Sequence, residues 1–381
     1  MRKIVVLSTE PWGKMLLSKM HFALEMAKAS NKVYFVNPPR QSGEQKLVSV
    51  DSNQTPDNLS IINLKPIKGY LFFRYKLFWV YKILSNLYVK GIKKIVGGEP
   101  DEVWCFNPHD FVDLSQFGSG KKIVLLYDLY KGSHIYKTLE SSDGLVSISQ
   151  VILDQYKGSD VPKLLIQHGL SSAFATNANA YLINNYFKGV HPEKIKVGYT
   201  GNLVRQSINT KLAMEIISGH PQLEFHFWGP SSFKENNVTT SNAHVPQEVI
   251  EFISFLESQD NVILHGMKDQ DTLARDLLEM DVFLFLYSSS LDMNGASNSH
   301  KLLEYLSTGK VVVSTFVSNY KDYDLLSMVK KEEELPDLFN RVIENLSFYN
   351  SKEKQRLRIE FALENKYSNQ IGKIREFIYK L

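Results

Sequence analysis

The chain has 381 residues, of which 43% are hydrophobic and 22% are charged, and its formal net charge at pH 7 is +3. This composition is typical of a globular protein with room for two domains, and the small net charge argues against a nucleic-acid-binding protein. No apolar stretch reaches the roughly 18 residues that cross a bilayer, and the apolar run after Arg2 and Lys3 is too short for a signal peptide. We therefore expect a cytoplasmic protein.

The single cysteine and the acidic strings give no sign of a metal site. Cys105 lies in the apolar run 103–106, which predicts a buried thiol in a reducing compartment, and one cysteine excludes an internal disulfide. Two Asp-x-Asp strings occur, at residues 269–271 and 322–324, and the first fits the start of a helix, where acidic side chains commonly cap. We expect neither a bound metal nor a cofactor.

Short apolar runs alternate with amphipathic stretches through the first half of the chain. The runs are mostly continuous and rich in Val, Ile and Leu, which is typical of strands buried on both faces of a parallel sheet. The stretch 16–29 between two of them has helical periodicity. Repeated strand–helix units predict a doubly wound α/β sheet. Its predicted strands are residues 4–7, 33–36, 59–64, 103–106, 123–127, 145–148 and 164–166.

The alternation stops and then restarts in the middle of the chain. Residues 175–194 contain four asparagines, Gly189 and Pro192, a composition that predicts a linker. Further strands are predicted at residues 195–199, 223–228, 262–264, 282–286 and 311–314, and the stretch 351–381 reads as helix. We therefore predict an α/β protein with two Rossmann-like, doubly wound domains facing across a cleft. Their predicted bounds are 1–188 and 189–358, with a helix at 359–381 that braces back toward the first domain.

The most informative stretch is 297–315, where a loop rich in Ser and Asn leads into a short predicted helix. Ser297 and Asn298 precede the helix, Lys301 lies in its first turn, and Glu304 lies one turn further on the same face. Unpaired N–H groups at the start of a helix suit a diphosphate, and Lys301 adds a cation beside them. A carboxylate at Glu304 can accept hydrogen bonds from both ribose hydroxyls. The alternative is an exposed helical ion pair without function.

In its order of Lys301, Glu304, Gly309 and the strand 311–313, this stretch resembles the donor-binding helix of GT-B glycosyltransferases, and in particular of glycosyltransferase family four. Gly309 is expected to cap the helix C-terminus. That family often has another Glu eight positions before the second one, where this chain has Ala296. Because the missing Glu usually contacts the sugar ring, the resemblance does not name the sugar.

Two further turns in the second half resemble nucleotide-facing turns of the same family. The turn containing Gly201 and Asn202 resembles the one that opens the donor domain, where Asn202 replaces the usual Arg. The resemblance implies that both residues contact the donor and that Arg205 substitutes for the missing cation; otherwise Arg205 is a solvated loop charge. His265 and Gly266 resemble the strand end whose backbone reads the base, where a glycine allows close approach.

In the first half of the chain, candidate acceptor-side residues follow several of the predicted strands. The resemblance implies that Gly13, after the first strand, lies near the donor phosphates; a simple tight turn is the alternative. His109 and Asp128 follow the strands at 103–106 and 123–127. A carboxylate at a strand end can deprotonate an acceptor hydroxyl, which favours inverting transfer with Asp128 as general base. In a retaining mechanism Asp128 orients the sugar instead, and a third reading has it capping the following segment.

Residues 65–94, here named the basic aromatic segment, contain eight Lys or Arg residues, no acid and eight interleaved aromatic residues. A basic, aromatic and helical stretch suits an anionic membrane surface, and this would place the protein on the inner face of the membrane. The alternative is that the aromatic residues pack on the sheet while the lysines are solvated. Nucleic acid is not an expected partner, because no second motif supports it.

Together these features predict a hexosyltransferase-like GT-B enzyme. It would move a sugar from a UDP- or GDP-sugar, bound by the domain 189–358, to a glycan or lipid-linked acceptor, bound by the domain 1–188. Cell-surface polysaccharide or glycolipid biosynthesis is the expected pathway. Two alternatives stay open: a GT-B-fold nucleotide-sugar epimerase and a catalytically silent sugar-nucleotide binder.

Overall fold

A computed structural model describes residues 1–13, 16–39, 46–51, 56–130, 132–185, 194–232, 246–288 and 299–380. The chain forms two compact units, Met1–Gln167 with Tyr367–Leu381, and His168–Lys366. Each unit is built on one largely parallel sheet. The domain bounds predicted from the sequence, 1–188 and 189–358, remain a prediction. So do the acceptor-binding and donor-binding roles assigned to these domains.

The described part of the first unit contains eight strands. They are β1 (Lys3–Leu7), β2 (Lys32–Val36), β3 (Val48–Asp51), β4 (Leu59–Leu64), β5 (Glu102–Cys105), β6 (Lys121–Leu126), β7 (Gly144–Ser147) and β8 (Lys163–Leu165). Their order in the sheet is β3-β4-β2-β1-β5-β6-β7-β8, and β3 runs antiparallel to β4 while the other pairs are parallel. The order reverses direction between β1 and β5.

The described part of the second unit contains six strands. They are β9 (Lys196–Thr200), β10 (Glu224–Trp228), β11 (Val262–Gly266), β12 (Val282–Phe285), β13 (Val311–Ser314) and β14 (Ser327–Met328). All neighbours are parallel, in the order β11-β10-β9-β12-β13-β14. This order reverses between β9 and β12, and in open α/β sheets ligands bind outside the carboxyl ends of the strands at such a point.

Fourteen α-helices connect and cover these strands in the described ranges. They are α1 (Ser18–Lys28), α2 (Tyr70–Lys76), α3 (Phe78–Val96), α4 (His134–Glu140), α5 (Gln150–Gln155), α6 (Ser172–Ile183), α7 (Thr210–Gly219), α8 (Gln247–Ser258), α9 (Gln270–Asp276), α10 (His300–Leu306), α11 (Leu335–Glu344), α12 (Leu346–Tyr349), α13 (Lys352–Glu364) and α14 (Tyr367–Lys380). Helices α1 to α5 and α14 belong to the first unit, and α6 to α13 belong to the second.

Strand β1 shows why the predicted strands read as continuous apolar runs. Its side chains alternate, with Val5 and Leu7 in one hydrophobic core and Ile4 and Val6 in another. Because successive side chains of a strand point to opposite faces, both faces of the sheet are covered. The predicted α/β class with doubly wound, parallel sheets is confirmed.

The predicted linker at 175–194 is wrong in its first half, which forms most of α6. Phe174, Ala178 and Tyr181 recur at helical spacing and are buried in the second unit. Exposed Asn179 lies on the other side of the helix, so the asparagines that suggested a linker are tolerated at its surface. Residues 186–193 lie outside the described residues.

The predicted helix over 351–381 is wrong in one respect, because the chain forms two helices, α13 and α14. The break falls at Asn365 and Lys366. There the carbonyl oxygen of Asn365 accepts a hydrogen bond of 2.7 Å from Leu170 N, and Lys366 pairs with Leu170 in an isolated β-bridge. Helix α13 packs in the second unit and α14 in the first.

Two composition-based expectations have structural counterparts. Cys105 is fully buried, and burial raises the pKa of its thiol to about 12. The Asp269 carboxylate caps α9, accepting a hydrogen bond of 2.9 Å from Thr272 N. Within the described ranges, no helix is long and apolar enough to span a membrane, and no three His, Cys, Asp or Glu side chains converge as metal ligands.

Candidate functional site

Lys301 lies where the strand order of the second sheet reverses. Helix α10 begins at His300, so Lys301 is in its first turn. The Lys301 ammonium donates a hydrogen bond of 2.9 Å to Tyr287 Oη and lies 5.7 Å from the centroid of the Tyr199 ring. A Cβ at Gly201 would overlap Lys301 Nζ, so the glycine lets the cation lie directly against the backbone after β9. The structure thus brings together Lys301 and Gly201, two of the predicted donor residues.

Glu304 lies one helical turn after Lys301 and is half-buried. Burial raises the pKa of its carboxyl to about 7, while the charge of Lys301 acts in the opposite direction. Among the described residues, no group donates a hydrogen bond to this carboxylate. A desolvated acceptor without a protein donor is suited to the hydroxyl groups of a ligand.

Tyr305 fixes α10 against the sheet, and the sequence analysis did not single it out. Its hydroxyl accepts a hydrogen bond of 2.7 Å from the backbone N–H of Thr200, the last residue of β9. Its ring stacks on Phe283 of β12 with centroids 4.4 Å apart. Tyr305 therefore links the helix that carries Lys301 and Glu304 to both strands at the reversal point. The feature of the sequence that could have identified Tyr305 is a tyrosine among the apolar residues of the helix motif.

Three neighbouring strands of the second unit end in glycines with positive φ. Gly201, Gly229 and Gly266 have φ of +150°, +132° and +66°. Gly201 N donates to Trp228 O at 2.8 Å, and Gly229 N donates to Gly266 O at 2.9 Å. A Cβ on Gly229 would overlap the carbonyl oxygen of Gly201. The backbones at the ends of β9, β10 and β11 therefore pack closely against one another, an approach that a Cβ at Gly229 would prevent.

The loop after β9 holds the next two predicted donor residues. Asn202 Oδ1 accepts a hydrogen bond of 3.1 Å from Val204 N, so this side chain shapes its own loop. Arg205 is exposed, and its guanidinium lies 5.4 Å from the centroid of the Tyr287 ring. Arg205 and Lys301 thus contact the same tyrosine.

His265 at the end of β11 belongs to a cluster of rings. Its Nε2 lies 2.9 Å from Nδ1 of His226, and its ring stacks on Trp228 with centroids 4.5 Å apart. His226 Nε2 in turn lies 2.6 Å from Glu224 Oε1. Burial, together with the neighbouring His226, lowers the pKa of His265. The imidazole of His265 already contacts His226 and Trp228. The backbone at Gly266 is therefore the better candidate for contact with a nucleotide base.

The remaining predicted donor residues are less informative. Gly13 follows Trp12, whose N–H donates a hydrogen bond of 2.8 Å to Asn37 Oδ1. Within the described ranges and apart from its chain neighbours, the nearest atom to a Cβ at Gly13 is Pro11 O at 3.9 Å. Ser297 and Asn298 lie outside the described residues.

In the first unit, His109 follows β5 and forms a pair with His134. His109 Nδ1 lies 2.8 Å from His134 Nε2, and the His109 ring meets the Tyr130 ring edge-on at 4.7 Å. Burial lowers the pKa of His134 to about 4, with smaller contributions from His109 and Arg74. His134 is therefore neutral at physiological pH, and its ring orients His109 through one imidazole nitrogen.

Asp128 is exposed after β6 and lies close to the same tyrosine. Burial raises the pKa of Tyr130, and the negative charges of Asp128 and Glu10 raise it further. Tyr130 thus contacts His109 and interacts electrostatically with Asp128. The structure therefore brings both predicted catalytic residues to one edge of the first sheet. Tyr130 was missed by the sequence analysis, although it lies only two positions after Asp128.

The loop that carries His109 is held by the buried side of α2 and α3. Tyr70 Oη and Ser85 Oγ each donate a hydrogen bond of 2.8 Å to Asp110 O, and Tyr81 Oη donates to His109 O. The buried Asp110 carboxylate accepts 2.8 Å from Asn107 Nδ2. These aromatic residues of the basic aromatic segment therefore pack inward, as one alternative expected.

The outer side of the same two helices is apolar and basic. Phe72 is 59% exposed, Trp79 66% and Ile83 52%. The exposed lysines of the segment are Lys65, Lys68, Lys76, Lys82, Lys90 and Lys94. The basic aromatic segment thus combines a packed inner face with an outer face on which large apolar side chains lie among cations.

Comparison with known proteins gives a fold and no family. No protein-family profile matches the chain, and no curated protein sequence matches it. Among solved structures, sucrose-phosphate synthase from Thermosynechococcus elongatus superposes with a TM-score of 0.67 at 12% identity, covering 100% of both chains. HepE from Anabaena, in complex with UDP and glucose, gives 0.63 at 14% identity with 100% of both chains covered.

A third structure agrees. The UDP-forming α,α-trehalose-phosphate synthase from Burkholderia xenovorans, in complex with glucose-6-phosphate, gives a TM-score of 0.66 at 10% identity and covers 99% of both chains. These proteins have the GT-B fold. The predicted GT-B architecture is therefore confirmed, while identities this low leave activity and substrate to separate argument.

Proposed function

We propose that this chain is a nucleotide-sugar-dependent glycosyltransferase. The observation that carries the proposal is the arrangement of Lys301 and Glu304 against Gly201 at the reversal point of the second sheet. It combines a cation beside the backbone after β9 with a half-buried acceptor to which none of the described residues donates a hydrogen bond. A nucleoside diphosphate supplies the matching groups, namely a diphosphate and a ribose diol.

Each donor residue then has a chemical role. Lys301 and Arg205 neutralise the diphosphate, and Glu304 accepts hydrogen bonds from the ribose hydroxyls. The backbone around Gly266 contacts the base, and Gly201 with Asn202 shapes the loop beneath the phosphates. A UDP-sugar is the favoured donor, since HepE is in complex with UDP and the B. xenovorans synthase is UDP-forming; a GDP-sugar is the alternative. Gly13, Ser297 and Asn298 complete the proposed donor set.

The chemistry is transfer to a hydroxyl group. The acceptor oxygen forms a bond to the anomeric carbon, the bond from that carbon to the diphosphate oxygen breaks, and the hydroxyl proton passes to Asp128. This gives inversion, with His109, oriented by His134, contacting the sugar or the acceptor. In the retaining alternative the proton passes to the leaving diphosphate and Asp128 only orients the sugar.

The acceptor, pathway and location complete the proposal. The resemblance to glycosyltransferase family four favours a glycan or lipid-linked acceptor in cell-surface polysaccharide or glycolipid synthesis. Residues 1–188 would bind the acceptor, residues 189–358 would bind the donor, and 359–381 would form a bracing helix. The protein is proposed to be cytoplasmic and to dock on the inner face of the membrane through the outer face of the basic aromatic segment. Exposed Phe72 and Trp79 among lysines support this docking.

Turnover assays separate this proposal from its alternatives. The purified protein is incubated with UDP-glucose, UDP-galactose or GDP-mannose, with and without a panel of sugars, sugar phosphates and isoprenyl-linked sugars. We expect nucleoside diphosphate release that depends on one acceptor class. A change of sugar configuration without an acceptor, detected by NMR, would instead identify an epimerase. Nucleotide binding without either reaction would identify a silent binder.

Co-sedimentation with vesicles tests the membrane part. We expect binding to vesicles that contain phosphatidylglycerol, and weaker binding for Trp79→Ser and Phe72→Ser. Phe348→Ser is the matched control, because Phe348 is 65% exposed on α12, outside the basic aromatic segment. Equal binding of all variants would rule out this docking surface.

A further inference from the structure

Tyr287 is a buried residue at the reversal point of the second sheet to which the proposed function gives no role. It follows β12 and is 4% exposed. Its carbonyl oxygen accepts a hydrogen bond of 2.7 Å from Thr315 Oγ1, and its backbone forms an isolated antiparallel bridge with Ile208. These contacts fix the backbone of Tyr287 between the end of β13 and the loop before α7.

The side chain of Tyr287 contacts two cations from different segments. Lys301 Nζ lies 5.3 Å from the centroid of its ring and donates to its hydroxyl at 2.9 Å. The Arg205 guanidinium lies 5.4 Å from the same centroid. The Tyr287 hydroxyl oxygen holds the Lys301 ammonium through the hydrogen bond, and the ring attracts the Arg205 guanidinium through its quadrupole. Two positive charges that repel each other are thereby kept on one buried side chain.

We propose that Tyr287 is a positioning residue that holds Lys301 and Arg205 as a pair for the diphosphate of the donor, an inference that rests on the proposed function. Long basic side chains lose rotamer freedom when they bind an anion. A side chain that holds both cations beforehand lowers this cost, so binding strengthens without any contact between Tyr287 and the ligand. The ligand class is a nucleoside diphosphate or its sugar, recognised through the two adjacent phosphates.

Calorimetric titration with UDP and with uridine tests the role. Tyr287→Phe keeps the ring and removes the hydroxyl, and we expect a loss of UDP affinity of about 3- to 10-fold. Tyr287→Leu also removes the quadrupole, with an expected loss of about 10- to 100-fold. Uridine lacks phosphates, so its affinity should stay unchanged in both variants. Tyr320→Phe is the matched control, a buried tyrosine-to-phenylalanine change elsewhere in the same unit.

A double-mutant cycle separates positioning from general support of the fold. If Tyr287 acts through Lys301, Tyr287→Phe should have little further effect in a Lys301→Ala background. Unchanged UDP affinity in Tyr287→Phe, an equal loss for UDP and uridine, or additive effects with Lys301→Ala would each overturn the inference. If the wild type binds no nucleotide, the proposed function fails. Inorganic pyrophosphate then serves as the probe, and the inference falls if Tyr287→Phe and wild type bind it equally.

Discussion

At the scale of single residues, Glu304 shows how a binding role leaves a physical trace. Burial raises the pKa of its carboxyl to about 7, and in the described part of the chain no protein group donates a hydrogen bond to it. The sequence predicted the place of Glu304 on the helix face from its spacing to Lys301. It could not predict the shift, because the burial of this carboxyl depends on tertiary packing around the helix.

The affinity for a UDP-sugar should therefore depend on pH. Ribose hydroxyls donate more strongly to the charged carboxylate than to the protonated carboxyl, so binding lowers the pKa of Glu304 and releases a proton. We expect affinity to rise between pH 6 and pH 8 and to fall as the pH drops below about 7. UDP-glucose is the suitable ligand, because its diphosphate does not titrate in this range. Calorimetry at several pH values measures the effect, and equal affinity at pH 6 and pH 8 would contradict it.

The same carboxyl should destabilise the free protein at neutral pH. Because the pKa of Glu304 is raised from 4.5 in the folded state, folding favours its protonated form, and the cost grows as pH rises from 4.5 to about 7. Glu304→Gln should therefore stabilise the protein by about 1–3 kcal/mol at pH 8 and much less at pH 5. Urea unfolding at both pH values measures this. Glu360→Gln, an exposed change on α13, is the control, and a destabilised Glu304→Gln protein at pH 8 would refute the account.

At the scale of elements, apolar runs predicted the long buried strands, and patterns that depend on tertiary contacts were missed. Strands β3 and β14 went unpredicted, since one is largely exposed and the other has two residues. Helix α6 was read as a linker because its exposed asparagines outweighed the buried Phe174 and Tyr181. The break between α13 and α14 depends on pairing with Leu170, which no local pattern reveals.

The glycines at the ends of β9, β10 and β11 give a prediction about the point where a strand passes into its loop. Gly229 has φ of +132°, and a Cβ there would meet the carbonyl oxygen of Gly201. Gly229→Ala should cost about 3 kcal/mol or more, because strain and backbone overlap add. Gly219→Ala is the control in the same unit, since among the described residues no atom beyond its own helix and chain neighbours lies within 4 Å of a Cβ at that position. Thermal unfolding measures both, and similar midpoints for the two variants would show that the strand ends are not close-packed.

At the scale of the whole molecule, alternating strands and helices were enough to predict two doubly wound sheets and the GT-B fold. The motif around Lys301 was enough to predict which part of the second unit to examine. Tyr130, His134, Tyr287 and Tyr305 were not predicted, because their roles arise from contacts between segments that lie far apart in the sequence. Side chains that position functional groups are not marked by a distinctive pattern in the neighbouring sequence.

The return of α14 to the first unit gives a prediction at this scale. Arg375 Nη2 lies 3.0 Å from Oε2 of the fully buried Glu102, which also pairs with Arg2 at 2.9 Å. Removing Arg375 leaves the buried charge of Glu102 compensated only in part, by Arg2, so Arg375→Ala should destabilise the protein by about 2–4 kcal/mol. Lys380→Ala, which removes an exposed pair on the same helix, should cost less than about 1 kcal/mol. Chemical denaturation compares the two, and equal stabilities would show that Glu102 does not hold α14.

The most direct test of the central claim is calorimetric titration of wild type, Lys301→Ala, Glu304→Ala and Lys211→Ala with UDP, GDP, ADP and CMP. We expect that one nucleotide binds the wild type, that Lys301→Ala and Glu304→Ala each weaken its binding at least about tenfold, and that Lys211→Ala, an exposed change on α7, has no effect. If no nucleotide binds, or if Lys301→Ala binds as tightly as wild type, the donor site is not where the geometry indicates and the glycosyltransferase proposal fails.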